Sequence, residues 1–276
     1  MQGKIIKNVS NDYTVLAGEN RYVCKARGKF RKLNLTPLVG DDVIFDENSN
    51  YILEILPRKN SLVRPPVSNI DQVIIVTSVK KPDFDTNLLD KMLCIVEFNN
   101  IKPIICLTKL DLLDNKELEE INGYINYYKG IGYDVILNTE INKLKNLIKD
   151  KINVYTGQSG AGKSTLLNKL DSSLNLKTDE ISLALNRGKH TTRHTELINV
   201  CSSWIADTPG FSALEFTSMT SSDIRDNFIE FNEHKELCRY KDCMHNLEDE
   251  CEIKDKVNDN TILKSRYENY LKFIRR

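Results

Sequence analysis

The stretch "VYTGQSGAGKSTLLNKL" (154–170) constrains this chain more than any other. An apolar strand pattern ends at Thr156 and a helical pattern begins at Lys163. Between them Gly157, Gln158, Ser159, Gly160, Ala161, Gly162, Lys163 and Ser164 spell G-x-x-x-x-G-K-[S/T], with Thr165 next. Glycines let such a loop curl until its backbone N–H groups line an anion cavity, and the following helix turns its positive end to the same point. The motif predicts that Lys163 reaches the β- and γ-phosphates of a nucleotide and that Ser164 ligates its Mg2+. A chance glycine turn is the competing reading, and the strand before and helix after weigh against it.

A phosphate loop of this kind sits at the carboxyl edge of an α/β sheet. The flanking sequence supplies one. "DQVIIVTSV" (71–79) is a near-continuous apolar run of the kind buried on both faces of a parallel sheet. A helical stretch over 86–99 follows, then the strand "KPIICLT", a helix near 115–129, the strand "YDVIL", a helix near 141–150 and the strand "KINVYTG". This alternation predicts a parallel, doubly wound α/β domain over residues 68–217. Residues 1–67 instead alternate apolar and polar in short runs broken by Gly, Asn and Asp, which predicts a small β-barrel of the OB type. Residues 218–276 read as helices around a Cys/His cluster. No apolar run approaches the ~20 residues of a membrane span, and the N-terminus lacks a secretory signal pattern, so a cytoplasmic protein with no membrane partner is expected.

Two further motifs belong to the α/β region. Thr108-Lys109-Leu110-Asp111 ends the "KPIICL" strand. A carboxylate at Asp111 can accept from guanine N1–H and the exocyclic amine together, a donor pair that adenine lacks. Lys109 would pack along the base and Thr108 would order the loop. This element precedes the phosphate loop by some fifty residues, the reverse of the usual GTPase order, so the domain would be circularly permuted. Asp207-Thr-Pro-Gly210 ends another apolar strand, "SWIAD". Asp207 could hold the Mg2+ shell and the Gly210 N–H could sense the γ-phosphate, although a strand-end Asp before Pro-Gly is also ordinary punctuation. The segment "LNRGKHTTRHTEL" (185–197) suits a switch in which Thr192, rather than Thr191, gives a ligand to the metal; an ordinary loop is the alternative.

Seven cysteines in a cytoplasmic chain argue against a disulfide framework. Cys238-x4-Cys243-x-His245-x5-Cys251 offers three thiolates and an imidazole, a complete tetrahedral set for one structural Zn2+ with no open position. Basic and acidic side chains balance at 39 each, so no global polycation advertises a nucleic-acid partner. The excess is local: residues 1–67 hold 11 basic against 7 acidic side chains. Lys25, Arg27, Lys29, Arg31 and Lys32 alternate through "CKARGKFRK", which on a strand would place them on one face. Standing alone, that face is as well explained by simple solvation.

The order TKLD, GQSGAGKS, GKHTT, DTPG, with "YVCKARGKFRK…PLVGDDV" before it and the late cysteines after it, resembles the small-ribosomal-subunit-dependent GTPase A (RsgA) family along the whole chain. The resemblance implies an OB-fold barrel, a circularly permuted P-loop GTPase domain and a zinc-binding helical domain. It implies a GTPase that binds GTP or GDP and is stimulated by the small ribosomal subunit during that subunit's late maturation. The basic 24–32 stretch then becomes a ribosomal RNA contact. "KSRYENYLKFIRR" could do the same, or could pack back on the protein through Tyr267, Tyr270 and Phe273. Two positions depart from the usual pattern. The second base loop reads Asn138-Thr139-Glu140, and Phe211 follows the DTPG motif where many GTPases place a water-orienting Gln. Water would then be positioned from elsewhere, by His190 or by the ribosome. A nucleotide-gated RNA-binding module with incidental hydrolysis, and a P-loop kinase or ATPase, are the rival functions. Nothing in the sequence demands an oligomer, so a monomer is expected.

Overall fold

The computed structural model describes residues 1–62, 66–176, 195–207 and 215–275, without the side chains of Arg31 and Asp207. Its first five strands are β1 (Gln2–Val9), β2 (Asp12–Ala17), β3 (Asn20–Ala26), β4 (Asp42–Asp46) and β5 (Tyr51–Ile55), with a helical turn α1 (Lys29–Lys32) after β3. They pair in the order β1-β2-β3-β5-β4, and β4 returns to β1 to close a barrel. Alternation dictates its inside: Tyr13, Val15 and Ala17 of β2 turn inward with Ile5, Cys24, Val43, Phe45 and Ile52. Thus the OB-type barrel expected from the sequence is present, with β5 as a strand that the turn signals did not mark.

One expectation fails here. The charges of 24–32 do not share a strand face, because β3 ends at Ala26 and α1 begins at Lys29. Gly28 sits in the reversal between them and Phe30 is buried in the barrel, so burial of one aromatic overrides the alternation of charge. Only Lys25 is on the strand; Arg27, Lys29 and Lys32 are exposed around the reversal.

A short hairpin, β6 (Ser61–Leu62) and β7 (Val67–Ser68), leads to the α/β region. There follow β8 (Gln72–Ser78), α2 (Thr86–Phe98), β9 (Lys102–Thr108), α3 (Asn115–Gly130), β10 (Asp134–Leu137), α4 (Ile141–Ile148), β11 (Ile152–Thr156) and α5 (Lys163–Leu170). Two further strands, β12 (Thr195–Val200) and β13 (Ser203–Asp207), complete a sheet of order β10-β9-β8-β11-β13-β12. Successive residues of β8 serve opposite faces: Val73 and Ile75 pack with Leu93 of α2 and Ile125 of α3, while Ile74 and Val76 pack with Leu144 of α4 and Leu166 of α5. That is why the apolar run is continuous rather than alternating. The parallel strands carry the phosphate loop, whereas β12 runs antiparallel to β13. Thr195 to Leu197, read from sequence as the tail of a polar switch segment, belong to β12.

β12 also pairs antiparallel with β1, Lys7 opposite Glu196 and Asn8 opposite Thr195, so barrel and α/β sheet are continuous. A register shift between Ile5 and Lys7 lets one end of β1 close the barrel on β4 while the other reaches β12. Beyond residue 215, α6 (Ser221–Asp226), α7 (Glu252–Asn258) and α8 (Lys264–Ile274) pack Phe216, Ile224, Phe228, Phe231, Tyr270 and Phe273 against Cys94 and Ile95 of α2. α8 therefore packs inward through its aromatic residues. Among the described residues, no helix is long and apolar enough to cross a membrane.

Candidate functional site

β8 lies between β9 and β11, all parallel, so the loops leaving β9 and β11 emerge at the same carboxyl edge with one strand between them. Gly157 follows β11 with φ +142°, and a Cβ there would lie 1.9 Å from the Val76 carbonyl oxygen; only glycine lets the chain pass this close to β8. Gly162, at φ +92°, delivers the chain into α5. Lys163 folds back over the loop, its Nζ donating to Gly157 O (2.7 Å) and Gln158 O (2.9 Å), which leaves a third ammonium donor. Burial holds the Lys163 ammonium below the usual lysine range. Ser164 is 8% exposed on the first turn of α5, Ala161 is buried, and Ser159, Gly160 and Thr165 are exposed.

The TKLD element meets this loop directly. The buried Thr108 hydroxyl donates to the Ala161 carbonyl at 2.6 Å, across 53 residues of sequence. Lys109 takes a left-handed conformation (φ +64°), and its ammonium donates to the Lys81 carbonyl. Asp111 is exposed in the helical turn Leu110–Leu112. Asn138 is brought alongside, its N–H donating to Leu107 O (2.9 Å), while the Glu140 carboxylate turns back to accept from Leu137 N–H (2.8 Å). Asp207 ends β13, the parallel neighbour of β11, and so lies at the same edge. The strand placement and the buried Ser164 hydroxyl suit a Mg2+ held between nucleotide and protein. His190, Thr192 and Gly210 lie outside the described residues.

The second cluster fits a metal by its own chemistry. The ligand atoms of Cys238, Cys243, His245 and Cys251 all lie within 4.8 Å of one another. His245 Nδ1 is 3.3 Å from Cys251 Sγ and 3.6 Å from Cys238 Sγ, and the Cys238 and Cys251 sulfurs are 4.0 Å apart. A tetrahedral Zn2+ with bonds of ~2.0–2.3 Å requires edges of ~3.4–3.8 Å, close to these. Burial, aided by Arg225, lowers His245 to about 4, so its imidazole is neutral and able to ligate. The cluster is tied to α8 by Tyr267 donating to His245 O (2.6 Å) and Tyr270 to Met244 O (2.5 Å).

On the barrel, Lys25 and Arg27 line a cavity of about 600 Å³ together with Asp12, Tyr13, Phe30 and Thr36. The Arg27 guanidinium stands 6.0 Å over the ring of Tyr51, an exposed tyrosine that no sequence pattern singled out. Arg31 lies in α1 and its side chain is outside the description. Two other groupings escaped the sequence reading. Lys80 pairs with Glu117 beside the base loop, at a helix start where Asp114 and Glu117 cap one another. Arg266 is buried between Asp90 and Glu230, a grouping without any local signal.

Known proteins resemble the chain throughout. The family model described as RsgA GTPase matches residues 55–217, and that described as RsgA N-terminal domain matches residues 2–51. The small ribosomal subunit biogenesis GTPase RsgA 2 of Oceanobacillus iheyensis is 48% identical, with 99% of this chain and 96% of that protein covered. Its counterpart RsgA from Enterococcus faecalis is 45% identical, with 99% and 94% covered. Among solved structures, YloQ, described as a circularly permuted GTPase, is 38% identical with a TM-score of 0.83 over 99% of this chain and 93% of that one. YjeQ from Thermotoga maritima is 36% identical with a TM-score of 0.86 over 99% and 96%.

Proposed function

The chain belongs to the RsgA GTPase family, and from that premise we propose that it hydrolyses GTP on the small ribosomal subunit, with the subunit as activator, during late subunit maturation. The observation that carries the nucleotide chemistry is the Thr108–Ala161 hydrogen bond, which couples the guanine element to the phosphate loop despite the permuted order. In this reading the backbone of Gly157 to Thr165 cradles the phosphates and Lys163 reaches the β- and γ-phosphates. Ser164, Thr192 and Asp207 would hold Mg2+, and the Gly210 N–H would sense the γ-phosphate. Asp111 accepts from the guanine edge, with Lys109 along the base. His190 is the proposed positioner of the attacking water, since Phe211 cannot accept a hydrogen bond. Bound Mg2+ would supply charge neutralisation between the β- and γ-phosphates. Zn2+ held by Cys238, Cys243, His245 and Cys251 would be structural, because four protein ligands leave no open position.

The proposed ribosomal RNA contact is the barrel end that carries Lys25, Arg27, Lys29, Arg31 and Lys32, where the cavity and the Arg27–Tyr51 pair put cations beside an aromatic surface. Domain limits of 1–67, 68–217 and 218–276, a monomeric state and a cytoplasmic location belong to the same reading. Phosphate release from GTP and from ATP, with and without purified small subunits, tests it. The expected outcome is hydrolysis confined to GTP and strongly raised by subunits. Equal rates with and without subunits would remove the ribosome from the reading, and a preference for ATP would remove Asp111 from the base site.

A further inference from the structure

The loop that presents Asp111 is held on three sides by groups outside its own motif. On the first side lies the Thr108–Ala161 bond. The turn after β8 forms the second: Val79 N–H donates to Thr108 O (3.1 Å), Ser78 Oγ donates to Lys80 O (2.7 Å), and Lys81 O accepts from the Lys109 ammonium. The third is the start of α3, where Asp114 and Glu117 cap one another. Glu117 N–H donates to Asp114 Oδ1 and Asp114 N–H to Glu117 Oε2, each at 2.9 Å. Lys80 joins the second side to the third, with Nζ 2.7 Å from Glu117 Oε1 and 2.6 Å from Oε2.

Burial holds this loop only in part: Leu110 and Leu113 pack half-buried against the core, but Asp111 and Leu112 are exposed and Lys109 sits in a left-handed conformation that favours glycine. A carboxylate that must meet two guanine donors at once tolerates only small displacement. The two leucines fix the loop's depth, and the remaining restraint on Asp111 comes from the ends of the loop, which the Lys80–Glu117 pair ties together. We propose that Lys80 and Glu117 are positioning residues for guanine recognition, clamping the 79–82 turn to the cap of α3 so that residues 109–113 present the Asp111 carboxylate in one geometry. The inference rests on the assignment of Asp111 to the guanine edge. Neither residue needs to touch the base. The hydrogen bond from Lys80, with that from Asp114 N–H, holds the Glu117 carboxyl below the usual carboxylate range, so Glu117 is ionised at neutral pH.

Displacement of a fluorescent GDP by GDP, IDP and ADP separates the outcomes, because IDP lacks the exocyclic amine. Glu117→Gln keeps an acceptor for the cap and removes the charge that Lys80 clamps. For Glu117→Gln and Lys80→Met, the Kd for GDP is expected to rise about fivefold, a modest factor suited to a solvent-accessible ion pair. The preference for GDP over IDP should shrink with it. The double variant should be no weaker than either single one, Lys80→Arg should restore binding, and KM for GTP should rise while kcat holds. Equal weakening of GDP and IDP, or affinities unchanged from wild type, would overturn the clamp. A wild-type protein that binds ADP as well as GDP would instead refute the guanine site itself, and the clamp with it.

Discussion

Arg266 is 1% exposed and fully engaged. Its Nη1 donates to Asp90 Oδ1 (2.6 Å), its Nε and Nη2 donate to Glu230 (2.5 and 3.0 Å), and its guanidinium lies 4.6 Å over the Phe228 ring. Burial opposes the cation, but the Glu230 and Asp90 carboxylates outweigh it and keep Arg266 charged. Burial pushes the Asp90 carboxyl up, with Arg266, Asn269 and Tyr128 pulling against it. Arg266→Met should cost about 3–5 kcal/mol, since it strands buried carboxylates without their counter-charge. The pH dependence has a definite sign. Without the guanidinium, Asp90 binds its proton more tightly folded than unfolded, so the native state holds more protons and gains stability as pH falls. Urea titrations from about pH 7 to pH 5 should show the deficit shrinking; a constant deficit would mean that lost packing, not charge, is responsible. Asp111 stood out as a candidate in sequence because its signal is local, a tetrapeptide after an apolar strand. Arg266 was not, because its partners lie 176 and 36 residues away and its own stretch reads as an ordinary basic helix.

At the scale of elements, most of the α/β region could be read because its strands and helices alternate with clear periods. β12 could not: its TELINV stretch mixes polar and apolar residues, and its identity depends on β13 on one side and β1 on the other. The metal cluster was legible as a donor set, but not as the support of α8 that Tyr267 and Tyr270 make it. Chelation of a metal held there is therefore expected to loosen α8 and to reduce helical circular dichroism, while the phosphate loop, far earlier in the sequence, keeps its affinity for GDP. Burial pushes the Cys251 thiol up to about 12 and raises Cys243 as well, so without metal these thiols hold their protons at neutral pH. Binding must release them, and apparent zinc affinity should climb from about pH 6 to pH 8. A pH-independent affinity, measured by competition with a chromophoric chelator, would contradict the thiolate set.

Taken whole, the molecule has a single eleven-stranded sheet among its described residues, joined at one narrow place. There Lys7 Nζ lies 2.7 Å from Glu196 Oε2, and Glu196 is in turn opposite Asp207 across β12 and β13. Lys7→Glu would set like charges opposite one another and should cost roughly 1 kcal/mol, recovered when Glu196→Lys is added. Denaturant unfolding of the three variants checks this, and no recovery in the double variant would show that the ladder holds without the charge. β1 has a second duty at this junction: it covers the start of β12, at Thr195 and Glu196, where the α/β sheet would otherwise end. An uncovered edge strand is a template for another chain. A protein cut back to residue 10 should therefore not survive as a tidy monomer with an open barrel, but should recruit strands from its neighbours and polymerise.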